Sequence, residues 1–365
     1  MHLEFFPSKT LTFYLARLFI TRILAVLVML VLILMMLDLL GESGKILAAE
    51  GNGDAQLWTY AGLRVPQLVA RFLPYSVLLA TIITLATLNQ NSEVISMKAA
   101  GLSAHQVLAP LLLTAALVSL ASFVFNERIV TRATATLDAW QAVDYGPVPE
   151  DSGVRSNVYL RDGGNIMLAA SLSGSGNAMR MQGVTYYRRD AGGTIVEQIR
   201  ADSATFANPG WRLDNATAFD VRETTTREAG TLVLAEDVEP SQIAISSVDA
   251  DSQNLMELSR SIEALQAAGR RTTQLEAAWW HKISGPLSAM LMPLLGAIAA
   301  FGLARSGQLL VRAIIGMALG FAYFVVDNAA LAMGNFGGYP PLIAAWAPFL
   351  LFALVGETVL VRTEE

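Results

Sequence analysis

The sequence predicts an α+β membrane protein in which six transmembrane helices, three before and three after, flank an inserted β-jelly-roll domain. Composition gives the first indication, because 53% of the 365 residues are hydrophobic and only 15% are charged, against about 25% charged in soluble domains. The second is a set of long apolar stretches near both ends, and the third is a polar middle with short β-rich runs. Such an excess of apolar surface must face lipid or another chain.

Six apolar stretches account for the helices. About 20 apolar residues are needed to cross a hydrocarbon core of about 30 Å. The stretches that meet this length are residues 23–40, 65–88, 107–125, 283–303, 309–333 and 342–361. A cleaved signal peptide is the alternative for the first stretch, but its apolar run is longer than a signal core and no A-x-A site follows it closely.

The chain therefore divides into three predicted regions. Residues 1–135 form a transmembrane half with spans one to three, residues 136–250 the β-jelly-roll domain, and residues 251–365 a connecting helix with spans four to six. Basic residues in short loops mark the cytoplasmic side of a membrane protein. With the N-terminus inside, that side receives Lys9, Arg17, Lys98, Arg305, Arg312 and Arg362. This count predicts cytoplasmic termini and an external β domain, which in a Gram-negative cell lies in the periplasm.

Several classes of function are excluded by composition and motif. The formal charge of −6 offers no broad basic surface for nucleic acid. The lack of cysteine excludes disulfides, thiolate catalysis and Cys-ligated metals, and the three histidines are too scattered for a local metal motif. The G-x-G-D string at 51–54 resembles that of intramembrane aspartyl proteases, but it lies in a polar outer loop rather than in a span. We expect a non-catalytic protein with no cofactor and no metal.

The polar middle, residues 154–247, has the pattern of a β domain. Turn sequences such as Asp162-Gly163-Gly164-Asn165 and Asn208-Pro209-Gly210 separate its short runs. About eight strands, among them runs at residues 211–213, 217–222 and 242–245, predict a sandwich or jelly roll. A helix at 255–268, ended by Gly269, then leads back to the membrane.

The cytoplasmic link between spans two and three is the most informative loop. Ser92 can cap a short helix from Glu93 to Ala100, and Gly101 can end it in a left-handed conformation. Val94 and Met97 give this helix an apolar edge. Two interpretations are open: a surface turn that dips into lipid, or a coupling helix that docks in a groove of a cytoplasmic motor.

Polar residues inside the fifth span need a reason, since a charged group costs about 2.5 to 3.5 kcal/mol at the centre of a membrane helix. Asp327 and Asn328 serve either helix packing or a substrate cavity. Earlier in the same span, Gly316 and Gly320 form a small-xxx-small face. That face predicts close packing against a partner helix.

Five segments carry a family resemblance. They read LPY at 73–75, NSEVISMKAAG at 91–101, WHKISGPL at 280–287, FVVDN at 324–328 and GYPP at 338–341. Together with the order of three spans, β domain and three spans, they make the chain resemble the lipopolysaccharide export permease family LptF/LptG (YjgP/YjgQ). The last two segments look most like the LptG branch of that family.

The resemblance implies one permease subunit of an ABC transporter that extracts lipopolysaccharide from the inner membrane for outer membrane biogenesis. The implied partners are an LptF-type permease, an LptB-type ATPase dimer that hydrolyses ATP, and the bridge proteins LptC and LptA. The coupling helix of the family maps onto Ser92, Glu93, Met97, Lys98 and Gly101. A carboxylate suits this place because Glu93 can pair with a basic residue of the ATPase groove.

Substrate contacts are less clearly marked, because the chain departs from the family here. Some LptG relatives carry basic residues near the outer end of span one, where this chain has Met35, Gly41 and Glu42. The candidates for lipopolysaccharide contact are then Lys45, Arg64, Arg71, Arg128, Arg132 and Asp327. Ordinary interfacial snorkelling is the alternative for the cations. The alternative function is a membrane anchor whose β domain docks partner proteins without moving lipid.

Overall fold

The structure is a computed structural model that describes residues 6–49, 51–148, 155–174, 176–190, 192–236, 238, 249–267, 269–300 and 309–364. The chain divides into two compact units. The first draws on Met1–Met36, Leu68–Glu127 and Arg271–Glu365, and the second on Leu37–Gln67 and Arg128–Arg270.

Helices make up the first unit and also form part of the second. In chain order, the described helices are α1 (Lys9–Ala48), α2 (Asp54–Gln90), α3 (Glu93–Ala99), α4 (Ala104–Phe125), α5 (Thr131–Ala142), α6 (Leu255–Ala267), α7 (Thr273–Ala300), α8 (Leu309–Asn335) and α9 (Pro341–Glu364). A π-helical turn, Asn126–Val130, joins α4 to α5, so this helix continues beyond the predicted end of the third span. Apolar runs fold as helices in lipid because a helix satisfies its backbone polar groups internally.

Five helical segments among the described residues are long and apolar enough to cross a membrane. They are Lys9–Ala48, Asp54–Gln90, Ala104–Ala142, Ile314–Asn335 and Pro341–Thr358. The predicted span at 283–303 begins inside α7 and ends outside the described residues. Helix α1 has 40 residues, which is about 60 Å at 1.5 Å per residue, so it is longer than the hydrocarbon core requires.

Helices of the first unit approach one another closely at glycines. A β-carbon placed on Gly296 of α7 would lie 2.7 Å from Cγ2 of Thr81 in α2. Gly320 of α8 meets the side chain of Leu78, also in α2, still more closely. The close packing predicted for the glycine face of this span is therefore confirmed at Gly320.

The second unit contains the inserted β domain. Its described strands are β1 (Arg155–Asp162), β2 (Asn165–Ser173), β3 (Arg180–Arg189), β4 (Ile195–Phe206), β5 (Trp211–Asp220) and β6 (Thr225–Leu234). They form one antiparallel sheet in the order β1-β2-β3-β4-β5-β6, so every described strand pairs with its neighbours in the chain. The α+β class, with a β domain inserted between two sets of membrane helices, is confirmed.

The described strands are longer than the short runs predicted from the sequence. Residues 211–213 and 217–222 read as two runs, yet 211–220 form the single strand β5. The ladder passes a register irregularity around Ala216, beside Asn215 with its positive φ of 57°. A bulge of this kind leaves one residue unpaired in the ladder while the strand continues on both sides. The strand predicted at 242–245 lies outside the described residues.

The core of the β domain lies on one face of the sheet. Alternating residues of β2 to β5 are buried there, as the period-two pattern of a strand with one buried face requires. Trp211 is fully buried, and its indole Nε1–H donates to the carbonyl of Val238 at 2.9 Å. The large ring is thus buried without leaving its polar atom unpaired.

Candidate functional site

Helix α3 begins without the predicted serine cap. Ser92 has a left-handed backbone, φ 60°, and its side chain makes no capping hydrogen bond. An N-cap side chain reaches the first amides from an extended backbone, which Ser92 does not have. Its carbonyl instead accepts hydrogen bonds from the amide and the hydroxyl of Ser96, both at 3.0 Å.

Helix α3 ends at a left-handed Gly101, as the sequence predicts. Gly101 has a φ of 88°, and its amide donates to the carbonyl of Lys98 at 3.0 Å, while the amide of Leu102 donates to that of Met97 at 3.1 Å. This pair of bonds is a Schellman motif, which favours glycine at the left-handed position. A capping box between Ser103 and Gln106 then starts α4. Helix α3 therefore leads into α4 through a turn whose backbone is fixed by hydrogen bonds.

The apolar edge of α3 faces its own chain. Val94 and Met97 are buried, with Met97 only 8% exposed, whereas Ile95 is 52% exposed. The predicted apolar edge therefore anchors α3 in the first unit, and it is not free to enter a partner. The side chains that α3 offers outward include Glu93, which is partly exposed, Ile95 and Lys98.

Glu93 is held by a residue that the sequence did not single out. The hydroxyl of Tyr14, in the first turns of α1, donates to Oε2 of Glu93 at 3.1 Å. The amide group of Asn91 contacts Oε1 of the same carboxylate at 3.3 Å. Tyr14 and Glu93 are 79 positions apart, so no local pattern could have joined them.

Two of the candidate substrate cations already have carboxylate partners in the second unit. Lys45 contacts Glu42 at 2.9 Å. The guanidinium of Arg64 binds both oxygens of Asp38, at 3.0 and 3.1 Å, and the hydroxyl of Tyr60 donates to the same carboxylate at 2.6 Å. A bidentate pair of this kind is specific and strong, so a phosphate would have to displace Asp38 to reach Arg64.

Tyr145, just after α5, makes hydrogen bonds to the end of α1 and to the loop between α1 and α2. Its hydroxyl donates to Glu42 at 2.7 Å, and its carbonyl accepts a hydrogen bond from the side chain of Asn52 at 2.7 Å. Burial, and then the hydrogen bond to Glu42, raises the pKa of Tyr145 to about 12. Asn52 belongs to the G-x-G-D string, which therefore serves the joint between α1 and α2.

Three other candidate cations are exposed. They are Arg71 in α2, Arg128 in the π-helical turn and Arg132 in the first turn of α5. Across the part of the chain that the structure describes, none of the three enters an ion pair. Their charges are open to an anionic ligand, and π-helical turns occur often at functional sites.

Asp327 is paired inside the first unit. Its Oδ2 lies 3.1 Å from Nε2 of His281 in α7, and the residue is only 7% exposed. Next to it, Phe324 stacks on Tyr75 of α2 with ring centroids 3.9 Å apart. These contacts favour the packing interpretation of Asp327, because a paired and buried carboxylate is poorly placed to meet a substrate. The described residues contain no group of three side chains able to hold a metal ion.

Comparison with known proteins identifies relatives that cover most of the chain. The family model described as lipopolysaccharide export system permease LptF/LptG matches residues 13–362. The lipopolysaccharide export system permease protein LptG of Escherichia coli strain K12 is 24% identical over 363 residues, which cover 98% of this chain and 99% of that protein. The protein of the same name from Haemophilus influenzae strain Rd is 23% identical over 314 residues, 84% of this chain and 86% of its own length.

Proposed function

The chain belongs to the LptF/LptG family of lipopolysaccharide export permeases, most like LptG, and from this premise we propose how it contributes to transport. It is a multi-pass, non-catalytic permease subunit of the inner membrane. The alternative of an anchor that moves no lipid is not favoured, because the relatives are named as export permeases.

The proposed assembly pairs this chain with an LptF-type permease above an LptB-type ATPase dimer. Both termini face the cytoplasm, and the β domain, within residues 136–250, lies in the periplasm, where LptC and LptA receive the lipid. Residues 1–135 and 251–365 supply the spans that flank the substrate cavity. The excess of Lys and Arg on the side of α3 supports this orientation.

Coupling to the ATPase is assigned to α3. The observation that carries this assignment is the construction of the helix: two buried side chains fix it, and Glu93 stays partly exposed. In this arrangement Glu93 and Lys98 make polar contacts with the ATPase, and Ser92 and Gly101 set the two ends of the helix. Met97 transmits the movement, because a buried anchor carries a displacement of α3 into the packed unit.

Lipid contact is assigned to cations. Arg71, Arg128 and Arg132 bind phosphate groups of lipid A directly, since the described residues leave their guanidinium groups without ion pairs. Lys45 and Arg64 take part by exchanging Glu42 and Asp38 for phosphate. Asp327 acts through the packing of α8 against α7.

Charge reversal at Glu93 tests the coupling assignment. Glu93→Ala removes the carboxylate, and Glu93→Lys places a cation opposite the basic groove, where like charges repel. We expect both variants to retain less ATPase than wild type in copurification of the full complex, with lysine below alanine. Glu228→Lys, an equally drastic change at an exposed site of β6, is the control and should retain wild-type levels. Full retention of the ATPase by both Glu93 variants would remove the assignment.

A further inference from the structure

The contact between Tyr14 and Glu93 connects two elements that are each fixed in the first unit. Next to Tyr14, Leu15 and Phe19 are fully buried and hold the start of α1. On the other side, the buried residues of α3 hold its backbone. The 3.1 Å hydrogen bond between the two side chains therefore fixes where the carboxylate points, rather than where either helix lies.

A tyrosine hydroxyl is a neutral donor, and this matters for a carboxylate that is to meet a basic groove. It orients Glu93 and leaves the charge of the carboxylate uncompensated. An arginine in its place would neutralise that charge by forming an ion pair. Arg22 is a nearby cation, and its guanidinium donates to the backbone carbonyl of Ile83 at 3.0 Å rather than to Glu93. Among the described residues no cation forms an ion pair with Glu93, and Oε1, which also accepts from Asn91, still has a lone pair for a partner.

Orientation before docking changes affinity. A free glutamate has three side-chain torsions, and immobilising such a side chain at an interface reduces affinity by about threefold to tenfold. A side chain already held in the docking orientation avoids most of this loss. The exposure of Tyr14, 44%, makes the hydrogen bond a weak contributor to folding, so its effect is expected on docking.

We propose that Tyr14 is a positioning residue for coupling, whose hydroxyl holds Glu93 in the orientation in which the ATPase groove receives it. This inference rests on the proposed role of Glu93. It adds a residue of α1 to the coupling apparatus, which the sequence places only between 92 and 101.

A double-mutant cycle tests the proposal. The full-length chain, assembled with its partner permease in nanodiscs, is titrated with the ATPase dimer for wild type, Tyr14→Phe, Glu93→Ala and the double variant. We expect Tyr14→Phe to weaken binding about threefold to tenfold, and to have no further effect once Glu93 is alanine. Tyr339→Phe makes the same chemical change at a tyrosine of similar exposure, 47%, and should bind as wild type.

Each other outcome has a definite meaning. If Glu93→Ala weakens binding but Tyr14→Phe does not, the positioning role is overturned while the coupling role of Glu93 stands. If Tyr14→Phe weakens binding equally in both backgrounds, the hydroxyl acts elsewhere and the proposal is wrong. If Glu93→Ala binds as wild type, the proposed function of α3 fails and takes the proposal with it.

Discussion

Replacing Gly296 by alanine tests the close approach of α7 to α2. The added methyl group would lie 2.7 Å from Cγ2 and 3.0 Å from Cβ of Thr81. Thr81 is fully buried, and its hydroxyl donates to the carbonyl of Val77 at 2.7 Å. Rotating the side chain away would break this bond and leave Cβ where it is, so the two helices must move apart.

The expected cost follows from these distances. Carbon atoms pack at about 3.5 to 4.0 Å, so the new methyl group needs about 1 Å of additional room. Overpacking of this size costs about 1–3 kcal/mol, while alanine gains about 1 kcal/mol over glycine inside a helix. Gly62→Ala in α2 has open space around its new β-carbon, so it should show only the gain in stability from helix propensity. The difference between the two variants therefore isolates the overpacking.

The measurement is the melting temperature of the purified full-length protein, followed by tryptophan fluorescence. At about 2–4 °C per kcal/mol, Gly296→Ala should melt about 2–12 °C below Gly62→Ala. Adding Thr81→Ser deletes Cγ2 but keeps the hydroxyl, and should recover part of the difference. Equal melting temperatures for the two alanine variants would refute the close contact between α7 and α2.

Two further predictions concern the C-terminal end of α3 and the tyrosine after α5. Gly101→Ala puts a β-carbon on a residue with φ 88°, which costs about 1–2 kcal/mol. Copurification of this variant should show reduced ATPase retention. The control is Gly163→Ala at the β1–β2 turn, φ 55°, which should retain normal ATPase levels. Tyr145 has its pKa raised to about 12, above the unfolded value of about 10. Its neutral phenol therefore stabilises the fold below about pH 10, and this contribution is lost as the pH rises towards 12. Between these pH values the melting temperature of wild type should fall more steeply than that of Tyr145→Phe, and parallel curves would contradict the assignment.

The membrane helices were predictable because lipid imposes one local rule. A segment without water must satisfy its own backbone, so a long apolar run such as 23–40 has to be helical. The same rule does not say where α1 ends. The helix continues to Ala48 through polar residues, and contacts such as Asp38 with Arg64, 26 positions apart, help to hold it there. A sequence window does not contain such a partner.

Helix α3 and the contacts of Glu93 and Asp327 were predictable only in part, for a similar reason. Gly101 is a local signal, since a left-handed helix end favours glycine. The cap expected from Ser92 is absent because its backbone is left-handed. The local sequence pattern does not determine that conformation, so it could not have predicted the absence. The contacts of Glu93 with Tyr14 and of Asp327 with His281, the second 46 positions apart, depend on helix packing. Strand order in the β domain could not be predicted from the sequence either, since turn residues mark hairpins without excluding crossed connections.

The pairing of each described strand only with its chain neighbours bears on biogenesis. Non-local pairing slows folding, because a long loop must close before its contacts form. Here β2 finds its partner as soon as it follows β1, and each later strand adds to an edge that already exists. The sheet can therefore assemble from its N-terminal end during synthesis, before the ribosome has made helices α7 to α9.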